Sequence, residues 1–591
     1  MFGPRSLSAL LSAPAGIFLA VCFLLPLAGL TWISIEGTPI SFAKYISFFS
    51  EPSNLAVLRW TIALASIVTV LCIALAYPVA YLIHKSSKSI SGLIYLAVLL
   101  PYFTSYLVRT YAWMVLLGRL GPINQLVVAL RLSEHPLQIL YSSSGVVIAM
   151  VYMLIPYCVL VIASTMSSIP DQFRRAASSL GASQTQGFFR IFLPLSAPGV
   201  AAAGLLTFVF ALGFYITPEL VGGASDLTIP MLIDSKLNAS IDWAGGAAVA
   251  VILLAVTIVL YTAANRLVGM EYLLSPRAAQ NRSAADIAKQ ASKGKRLANF
   301  YIFAVDSVAN LLRRVVGQKK RSARSKGTQR ETGWFVRSIG LLVCVFLLSP
   351  LLIIIPISFS DSSFLTFPPT GFSLRWYDTV FSDGDWMGAL WQSFKIGCLA
   401  ALFSVVVGTG AALSIVKMSS KLRARVLQFL LAPLIVPSIV GSIALYFLFS
   451  KLQLVGTTMA LVLAHSVGAV PIVVLIVAAG LQGVDPRLER AAASLGAPPL
   501  TALRIVTLPL VARSVAVSGF VAFLHSFDEV VYALFLSGPR LVTLPLKMWS
   551  GIRDEISPAI AAVSSLLILV IVLAYMGSLV LSQIKSRRRP A

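Results

Sequence analysis

Long apolar segments separated by short polar ones run along almost the whole of this 591-residue chain. Each apolar segment has about twenty residues or more, which is the length that a helix needs to cross a bilayer core. Backbone groups in lipid must be hydrogen-bonded within their own segment, so the pattern predicts an all-α polytopic membrane protein. The shorter alternation typical of a membrane β-barrel is missing. The twelve predicted spans lie near 14–34, 58–83, 91–117, 144–166, 198–220, 245–267, 335–357, 389–416, 424–449, 457–480, 511–536 and 559–582.

A segment that lies between two predicted spans occurs twice in the chain. Residues 175–195 read RAASSLGASQTQGFFRIFLPL, and residues 490–510 read RAAASLGAPPLTALRIVTLPL. The offset of 315 continues without a gap well beyond this segment. Internal repeats indicate duplication of a whole structural unit. The sequence therefore predicts two homologous six-helix halves, which differ in the fifth span, where Gly213 of the first half aligns with Asp528 of the second.

Three regions follow from this repeat. The first half covers 1–267 and the second half covers 334–591, and each contains six predicted spans. A basic linker at 268–333 joins them, and we interpret it as a solvated tether between two once-separate subunits. The stretch 297–316 within it also has the pattern of an amphipathic helix, which would lie on an anionic membrane leaflet.

The composition agrees with a membrane protein, because 58% of the residues are hydrophobic and only 12% are charged. The formal net charge of +24 would suggest nucleic-acid binding in a soluble protein. Here the basic residues collect at alternate span ends, which the positive-inside rule explains without a nucleic acid. We therefore expect both termini and both repeated segments to face the cytoplasm. These basic residues include His84, Lys85, Lys88, Lys417, Lys421, Arg423, Arg425, Lys585, Arg587, Arg588 and Arg589.

Each repeated segment has the pattern of a short helix-turn-helix. The two copies are predicted at 170–194 and 485–509, and each starts with Asp and Pro near its first turn. Gly181 and Gly496 are expected to end the first helix, because glycine readily adopts the left-handed conformation of a C-cap. The alanine pairs before these glycines keep one helix face small, so that a partner surface can approach closely. Two copies predict two docking sites for a partner outside the bilayer.

The repeated segment resembles the EAA loop of ABC-importer permeases, whose pattern is E-A-A, three residues, G, nine residues and I-x-L-P. In that family the loop is a coupling helix that sits in a groove of a separate ATP-binding subunit. The resemblance implies that two ATP-binding subunits dock here and that they hold the ATP and Mg²⁺. Arginine replaces the family glutamate in both halves, which suggests an acidic edge on the partner. The residues expected to make this contact are Arg175, Ala176, Ala177, Gly181, Glu489, Arg490, Ala491, Ala492 and Gly496.

Longer matches narrow the resemblance to importers of the spermidine/putrescine type. LPYFTSYLVRTYAWMVLL at 100–117 and GFYITPELVGG at 213–223 resemble the first permease subunit of such importers. SFDEVVYALFLSGP at 526–539 resembles the second subunit. The order implies two permease subunits fused in one chain, with the fold of a type I ABC importer permease. It also implies a bacterial inner-membrane location, an extracytoplasmic solute-binding protein and a polyamine or related small cationic solute.

The chain lacks the motifs of a nucleotide-hydrolysing or metal-dependent enzyme. No G-x-x-x-x-G-K-[ST], H-E-x-x-H or G-x-S-x-G sequence occurs, and no Cys/His zinc spacing. The five cysteines lie in apolar segments and none forms a C-x-x-C pair, so we expect buried free thiols. We therefore expect that this chain is not an enzyme by itself and binds no metal or cofactor.

Ionisable residues inside apolar spans are candidates for solute contact, because burying them in lipid is costly. Asp528 and Glu529 are adjacent in the predicted span 511–536. Successive residues of a helix point about 100° apart, so we expect at most one of them to face a given point. The alternative role is a structural carboxylate that is hydrogen-bonded between helices. Arg109 and His465 are expected to be structural.

A linear polyamine also needs aromatic faces between carboxylates, since cation–π contacts suit a site that must release as well as bind. The alternative for each aromatic residue is core packing or the interfacial belt. Glu219 follows Pro218, where a proline-induced bend could form part of a gate. The solute-pathway candidates are Asp528, Glu529, Phe527, Glu219, Tyr215, Phe214, Tyr102 and Trp113, with Phe103, Tyr106 and Tyr111 nearby.

Three alternatives for the function stay open at this point. The same class of importer could carry ferric iron, thiamine or a phosphonate. An ion-coupled secondary transporter also often has twelve spans in two halves, although it needs no duplicated docking helices. A membrane signalling scaffold could use the docking helices without transporting a solute.

Overall fold

In the computed structural model, helices make up most of the residues that the structure describes. The pairing found outside them, in the part of the chain that is described, is an antiparallel bridge between Ser360 and Phe372. The predicted all-α fold is thereby confirmed. Apart from its first residue, the predicted linker at 268–333 lies outside the described residues, and its 297–316 stretch does too, so both interpretations of it stay predictions. The described residues are 4–36, 40–182, 184–268, 334–363, 367–554 and 557–587.

The first half contains three π-helical turns, in which each turn has one extra residue; two of them connect helices and the third ends α13. These turns are Ala20–Leu24, Phe188–Phe192 and Ser235–Ala239. The helices are α1 (Pro4–Leu19), α2 (Leu25–Ser34), α3 (Ala43–Ser50), α4 (Pro52–Lys85), α5 (Lys88–Phe103), α6 (Tyr106–Leu117), α7 (Pro122–Ala129), α8 (Ser143–Ser167), α9 (Asp171–Ser179), α10 (Gln184–Gly187), α11 (Leu193–Leu212), α12 (Ile216–Val221), α13 (Ile229–Asp234) and α14 (Trp243–Val268).

The second half repeats this order of long and short helices. A π-helical turn at Leu503–Thr507 leads into its fifth span, as Phe188–Phe192 does in the first half. The helices are α15 (Trp334–Ser358), α16 (Arg375–Ser382), α17 (Gly384–Lys417), α18 (Ser420–Leu431), α19 (Ser438–Lys451), α20 (Thr458–Leu481), α21 (Pro486–Ser494), α22 (Pro499–Ala502), α23 (Leu508–Phe527), α24 (Val531–Leu536), α25 (Leu544–Asp554) and α26 (Ala559–Arg587).

Ten helical stretches of the described chain are long and apolar enough to cross a membrane, and an eleventh arises if one bent pair counts as a single span. Two shorter apolar helices, Lys88–Phe103 and Ala559–Leu573, cover the remaining predicted segments. The structure interrupts four of the twelve predicted spans with a short non-helical break between two helices. These four are 91–117, 198–220, 424–449 and 511–536.

The interruptions lie at identifiable residues, and one of them has a local cause. Pro437 removes a backbone donor and disfavours helix just before it, and the helices on either side differ in direction by 90°. The extended residues Thr104 and Ser105 separate α5 from α6. Gly213 and Asp528 follow α11 and α23 at equivalent positions of the two halves. Non-helical backbone at membrane depth is tolerated where it is buried in protein or lines a cavity, so these four breaks point to the functional site.

Equivalent helices in the two halves confirm the duplication. Helices α3 to α6 correspond to α16 to α19 at an offset of 332, and α8 to α14 correspond to α20 to α26 at an offset of 315. The difference between 332 and 315 is an insertion of 17 residues in the first half, which contains α7. Because α8 runs from this insertion to α9, the insertion lies at the end of the bundle opposite α9 and α21.

The first helix of each half packs against the other half. Helices α1 and α2 contact α17 and α19, while α15 contacts α4, α5 and α6. An aromatic cluster stabilises the contact of α15, since the ring of Trp113 lies 5.4 Å from that of Tyr152 and 5.2 Å from that of Phe346. These contacts of α1, α2 and α15 bury apolar side chains of both halves in one continuous core. They also hold the broken helices of the two halves against each other.

Candidate functional site

A cavity of about 360 Å³ lies between the two halves, at the level of the helix breaks. The charged side chains in its wall are Arg109 from the first half and Asp528 and Glu529 from the second. The rest of the wall is mostly apolar and aromatic, which is the usual composition of a small-molecule site. The aromatic side chains that line it are Tyr102, Phe103, Tyr106, Tyr157, Phe210, Phe214, Tyr215 and Tyr532.

Asp528 links the two halves through the N-terminus of a helix. Both of its carboxylate oxygens accept a hydrogen bond from the backbone N–H of Tyr106, at 2.8 and 3.0 Å. Tyr106 is the first residue of α6, and the free N–H groups and dipole of a helix N-terminus favour a negative charge. A carboxylate of the second half therefore stabilises the break between α5 and α6 in the first half.

Glu529 stabilises a helix N-terminus within its own half. Its Oε1 accepts hydrogen bonds from the backbone N–H groups of Val531 and Tyr532, at 3.1 and 3.3 Å, and so caps α24. The chain is not helical from Asp528 to α24, so the helical spacing assumed for the two carboxylates does not apply there, and both line the cavity. A carboxylate has about four lone-pair sites, so each can accept further hydrogen bonds from a solute.

The equivalent break in the first half, at residues 213–215, contains no carboxylate. A Cβ placed on Gly213 would lie 2.7 Å from the Cβ of Pro437, the residue that precedes α19. The backbone of the first half therefore packs directly against the break in the second half, and a larger residue at Gly213 would clash. Because Gly213 stands where the second half has Asp528, the helix break beside the cavity is apolar in the first half and polar in the second.

Arg109 lies one turn after Tyr106 on α6, and only 6% of it is exposed. Its guanidinium lies over the ring of Tyr106, with Cζ 5.4 Å from the ring centroid. Within the described chain its Nε is buried without a hydrogen-bond partner. The ring contact agrees with the structural role expected for Arg109, but the side chain also lines the cavity and keeps its hydrogen-bond donors unused.

The aromatic residues of the wall pack edge to face. The ring of Tyr102 lies 5.1 Å from that of Tyr157, and the ring of Tyr106 lies 5.1 Å from that of Phe214. Tyr157 was missed by the sequence reasoning, because it lies in the fourth span, where no ionisable neighbour drew attention to it. The structure brings Tyr102, Phe214 and Tyr215 together with the two carboxylates, as the solute-pathway hypothesis requires.

Three predicted pathway residues do not line the cavity. Trp113 is 2% exposed and belongs to the aromatic cluster between α6, α8 and α15. Phe527 packs on Phe523, with ring centroids 5.6 Å apart, and Glu219 lies farther along α12. The reason is that packing against neighbouring helices, and not proximity in sequence, decides which way a side chain in a span points.

Two further candidates have partners within the protein. Nδ1 of His465 lies 2.7 Å from Oγ of Ser526, in agreement with the structural role expected for this histidine. The hydroxyl of Tyr111 donates a hydrogen bond to the carbonyl of Ser557 at 3.2 Å and so ties α6 to the second half.

A second contact between the halves lies on the side of the cavity away from α9 and α21. Glu219 of α12 pairs with Arg553 of α25, with 4.0 Å between Oε1 and the guanidinium nitrogen. Next to this pair the ring of Tyr215 lies 5.8 Å from that of Trp549, and Arg553 lies over the same tryptophan. Together these side chains join the halves beside the cavity, which agrees with the hypothesis that the region of Glu219 is part of a gate.

Helices α9 and α21 have the predicted form of helix, glycine turn and second short helix. Gly181 and Gly496 have φ angles of +81° and +84°, which favour glycine. The N–H groups of Ala182 and Ala497 donate to carbonyls five residues earlier, at 3.0 Å, as in a Schellman C-cap. The second helix differs from the prediction, because it continues through a π-helical turn into the membrane helix without a break at Pro194 or Pro509.

Most residues predicted to dock a partner lie on the surface. Ala177 is buried and Glu489 and Ala492 are half-buried, whereas the other predicted contacts are exposed: Arg175, Ala176, Gly181, Arg490, Ala491 and Gly496. Glu489 is also paired within the chain, since Nζ of Lys417 lies 2.6 Å from its Oε1. This pair ties α21 to the end of α17.

Two pairs of apolar side chains on these helices were missed by the sequence reasoning. Leu180 and Leu495 occupy equivalent positions just before the glycine turns, and each is 89% exposed. Phe173 and Leu488, which are also equivalent, are about half exposed. Because they are exposed at equivalent positions of both copies, these side chains are candidates for contact with a partner. The signal was present in the repeat, where both positions stay apolar in otherwise polar helices.

Comparisons with known proteins agree with this architecture. The family model described as binding-protein-dependent transport system inner membrane component matches residues 73–270 and again residues 404–588. The spermidine/putrescine transport system permease protein PotB of Haemophilus influenzae is 32% identical over 232 residues, which are 39% of this chain and 81% of that protein. The putrescine transport system permease protein PotI of Escherichia coli is 31% identical over 235 residues, which are 39% and 83%.

One solved structure that aligns with the chain is a bacterial ABC transporter involved in the import of the acidic polysaccharide alginate. The alignment covers 43% of this chain and 92% of that chain, with 17% identity and a TM-score of 0.40.

Proposed function

Because this chain belongs to the family of binding-protein-dependent transport system inner membrane components, we propose that it is the fused permease of an ATP-driven importer for polyamines such as spermidine and putrescine, or for a related small cationic solute. The two family matches lie in one chain, so both halves of the pathway are present. Similar proteins are named as permeases of spermidine/putrescine and putrescine transport systems, which supports the solute class.

The observation that carries the solute class is the placement of two carboxylates in a cavity walled by aromatic rings. Asp528 and Glu529 both line it, and Tyr106, Tyr157 and Tyr532 are among the rings around them. An ammonium group is held by charge-assisted hydrogen bonds to a carboxylate and by cation–π contacts with a ring. The spaced methylenes of a polyamine fit the apolar wall between them.

The exposed helices α9 and α21 support docking of two separate ATP-binding subunits, which would hold the ATP and Mg²⁺. This proposal places α9, α21 and both termini on the cytoplasmic side of a bacterial inner membrane. The opposite end of the bundle would then receive solute from an extracytoplasmic binding protein. The chain itself forms no covalent bond with the solute and acts by opening the cavity to one side at a time.

Movement of the halves follows from how they are joined. The cavity lies between the two coupling helices on one side and the Glu219–Arg553 pair on the other. Closure of the ATP-binding subunits would draw α9 and α21 together and separate the halves at the opposite end. Release of hydrolysis products would return the halves to the arrangement described here.

The experiment that tests this function is uptake into proteoliposomes. The full chain is purified from its native host with any ATP-binding subunit that accompanies it, and spermidine and putrescine uptake is measured with ATP inside and binding protein outside. We expect uptake that requires hydrolysable ATP and stops with a non-hydrolysable analogue. Absence of an accompanying ATPase, or uptake that follows a proton gradient and ignores ATP, would contradict the proposal.

A further inference from the structure

The position of Arg109 in the cavity wall is not explained by the binding of a cationic solute alone. A guanidinium repels an ammonium group, and two unit charges about 4 Å apart still repel each other strongly at the effective dielectric constant of a protein. Asp528 attracts this charge from nearby. The N–H donors of the guanidinium nevertheless require an acceptor, either within the protein or on a ligand.

No described residue forms a hydrogen bond with the Arg109 side chain. Arg109 is 6% exposed, and among the described residues none accepts a hydrogen bond from its guanidinium, while the ring of Tyr106 covers one face of it. Asp528 attracts Arg109 electrostatically, but its oxygens are bound to the backbone N–H of Tyr106, and among the described residues no ion pair within 4.0 Å joins the two side chains. The donors of Arg109 are therefore free for a ligand in the cavity.

Opposite charges thus occupy different parts of one wall. Asp528 and Glu529 offer carboxylate oxygens from the second half, and Arg109 offers a planar fork of N–H donors from the first. Such a fork matches the two oxygens of a carboxylate. The three side chains together form a site with one positive and two negative groups.

We propose that Arg109 is an anion-binding group and that the cavity accepts ω-amino carboxylic acids, whose ammonium contacts Asp528 or Glu529 while the carboxylate contacts Arg109. This inference rests on the proposed transport of amines through the same cavity and extends it from diamines to bipolar amines. The orientation of such a solute is fixed, since its acidic end binds the first half and its basic end the second. Arg109 then discriminates between the two solute types.

The test compares 1,4-diaminobutane with 4-aminobutanoate, which has a similar length but replaces one ammonium group by a carboxylate. The full chain is held in lipid nanodiscs, and the dissociation constant of each compound is obtained from the rise in unfolding temperature with ligand concentration at constant ionic strength. Arg109→Gln is expected to weaken binding of 4-aminobutanoate about tenfold or more, the effect of losing one charge-assisted hydrogen bond. Binding of 1,4-diaminobutane is expected to stay unchanged or become tighter, because a repulsion is removed.

Two further variants complete the test. Arg59→Gln makes the same change at an exposed arginine outside the cavity and is expected to alter neither dissociation constant. Arg109→Lys keeps the charge but loses the planar fork, and it tests the proposal if Arg109→Gln does not fold. It is expected to weaken 4-aminobutanoate binding without weakening diamine binding.

The outcomes separate this inference from the proposed function. The role of Arg109 would be overturned if the wild-type chain bound the diamine but did not bind 4-aminobutanoate. It would also be overturned if the Arg109 variants lost affinity for both compounds equally. Either result would leave amine transport intact. Wild-type binding of neither compound would overturn both. Opposite or unequal changes in the two dissociation constants, confined to the Arg109 variants, would support the anion-binding role.

Discussion

The carboxylate of Asp528 joins the two halves in the wall of the cavity. Both of its oxygens accept a hydrogen bond from the first N–H of α6. In this conformation Asp528 therefore acts as an N-cap from a distant part of the chain. An ammonium group of a solute would compete for the same oxygens. The residue therefore combines the two roles that the sequence left open, a structural carboxylate between helices and a candidate solute ligand.

Replacement of Asp528 by Asn separates these roles. Asn keeps an oxygen that accepts the Tyr106 N–H but has no charge, so we expect the unfolding free energy to change by about 1 kcal/mol or less. Uptake of a dication is expected to fall about tenfold or more, because a charge-assisted contact is lost. Uptake in proteoliposomes and the unfolding temperature are the two measurements.

A matched control for this variant is Asp385→Asn, at an exposed carboxylate that pairs with Lys547 at 3.1 Å. It is expected to leave uptake unchanged. Wild-type uptake by Asp528→Asn, together with wild-type uptake by Glu529→Gln, would remove both carboxylates from the solute path.

At the scale of elements, the short helices α9 and α21 each present one fully exposed leucine beside a glycine turn. The turn has a positive φ and a Schellman hydrogen-bond pattern in both copies, so the two leucines are held in the same orientation. Docking of an apolar side chain in a partner groove stabilises an interface by about 1.5–3 kcal/mol for a leucine that becomes fully buried. The arginines at the family glutamate position, Arg175 and Arg490, are exposed on the same helices.

Leu180→Ser and Leu495→Ser are therefore each expected to weaken association with an ATP-binding subunit by about tenfold or more. The fold should not change, because neither side chain contacts the core. The amount of ATPase that remains bound to the purified chain over a range of concentrations measures the effect. The control is Leu126→Ser, at an exposed leucine of α7 at the opposite end of the bundle, and it should retain the ATPase fully. Equal retention by all three variants would argue against docking at Leu180 and Leu495.

At the scale of the whole molecule, the halves meet through different contacts on the two sides of the cavity. The side near α12 has an ion pair between Glu219 and Arg553 and an aromatic contact between Tyr215 and Trp549. The Arg553 side chain is 51% exposed, so the pair contributes about 1 kcal/mol at most. An interaction of this energy shifts the populations of the open and closed states, but it is too weak to hold the protein in one of them.

Arg553→Glu is expected to favour separation of the halves at this end, because it replaces attraction to Glu219 by repulsion. The population of the separated state should rise by about fivefold or less, as the small energy of the pair dictates. ATP hydrolysis without solute, measured in the complete transporter, is expected to rise accordingly. The exchange Glu219→Arg with Arg553→Glu restores opposite charges and should return hydrolysis to its original rate; failure of this rescue would show that the pair does not act as a gate.

The sequence by itself determined the properties that depend on local pattern. The length of apolar runs predicts which segments are helical in a membrane, because backbone hydrogen bonds in lipid leave few other conformations. The repeat predicts two halves, and its glycines predict the turns at Gly181 and Gly496, since only a residue without a side chain adopts that backbone without strain. The same comparison singled out Gly213 and Asp528 as the point where the halves differ.

The tertiary structure was needed to show where the spans break, and tertiary contact decided which side chains reach the cavity. Asp528 caps a helix that begins 422 residues earlier, and no local pattern can register such a pair. Trp113 and Arg109 lie on the same short helix, yet packing against α15 buries the first in the core while the second lines the cavity. Hydropathy describes the average environment of a segment, whereas the direction of each side chain depends on the neighbouring helices against which it packs.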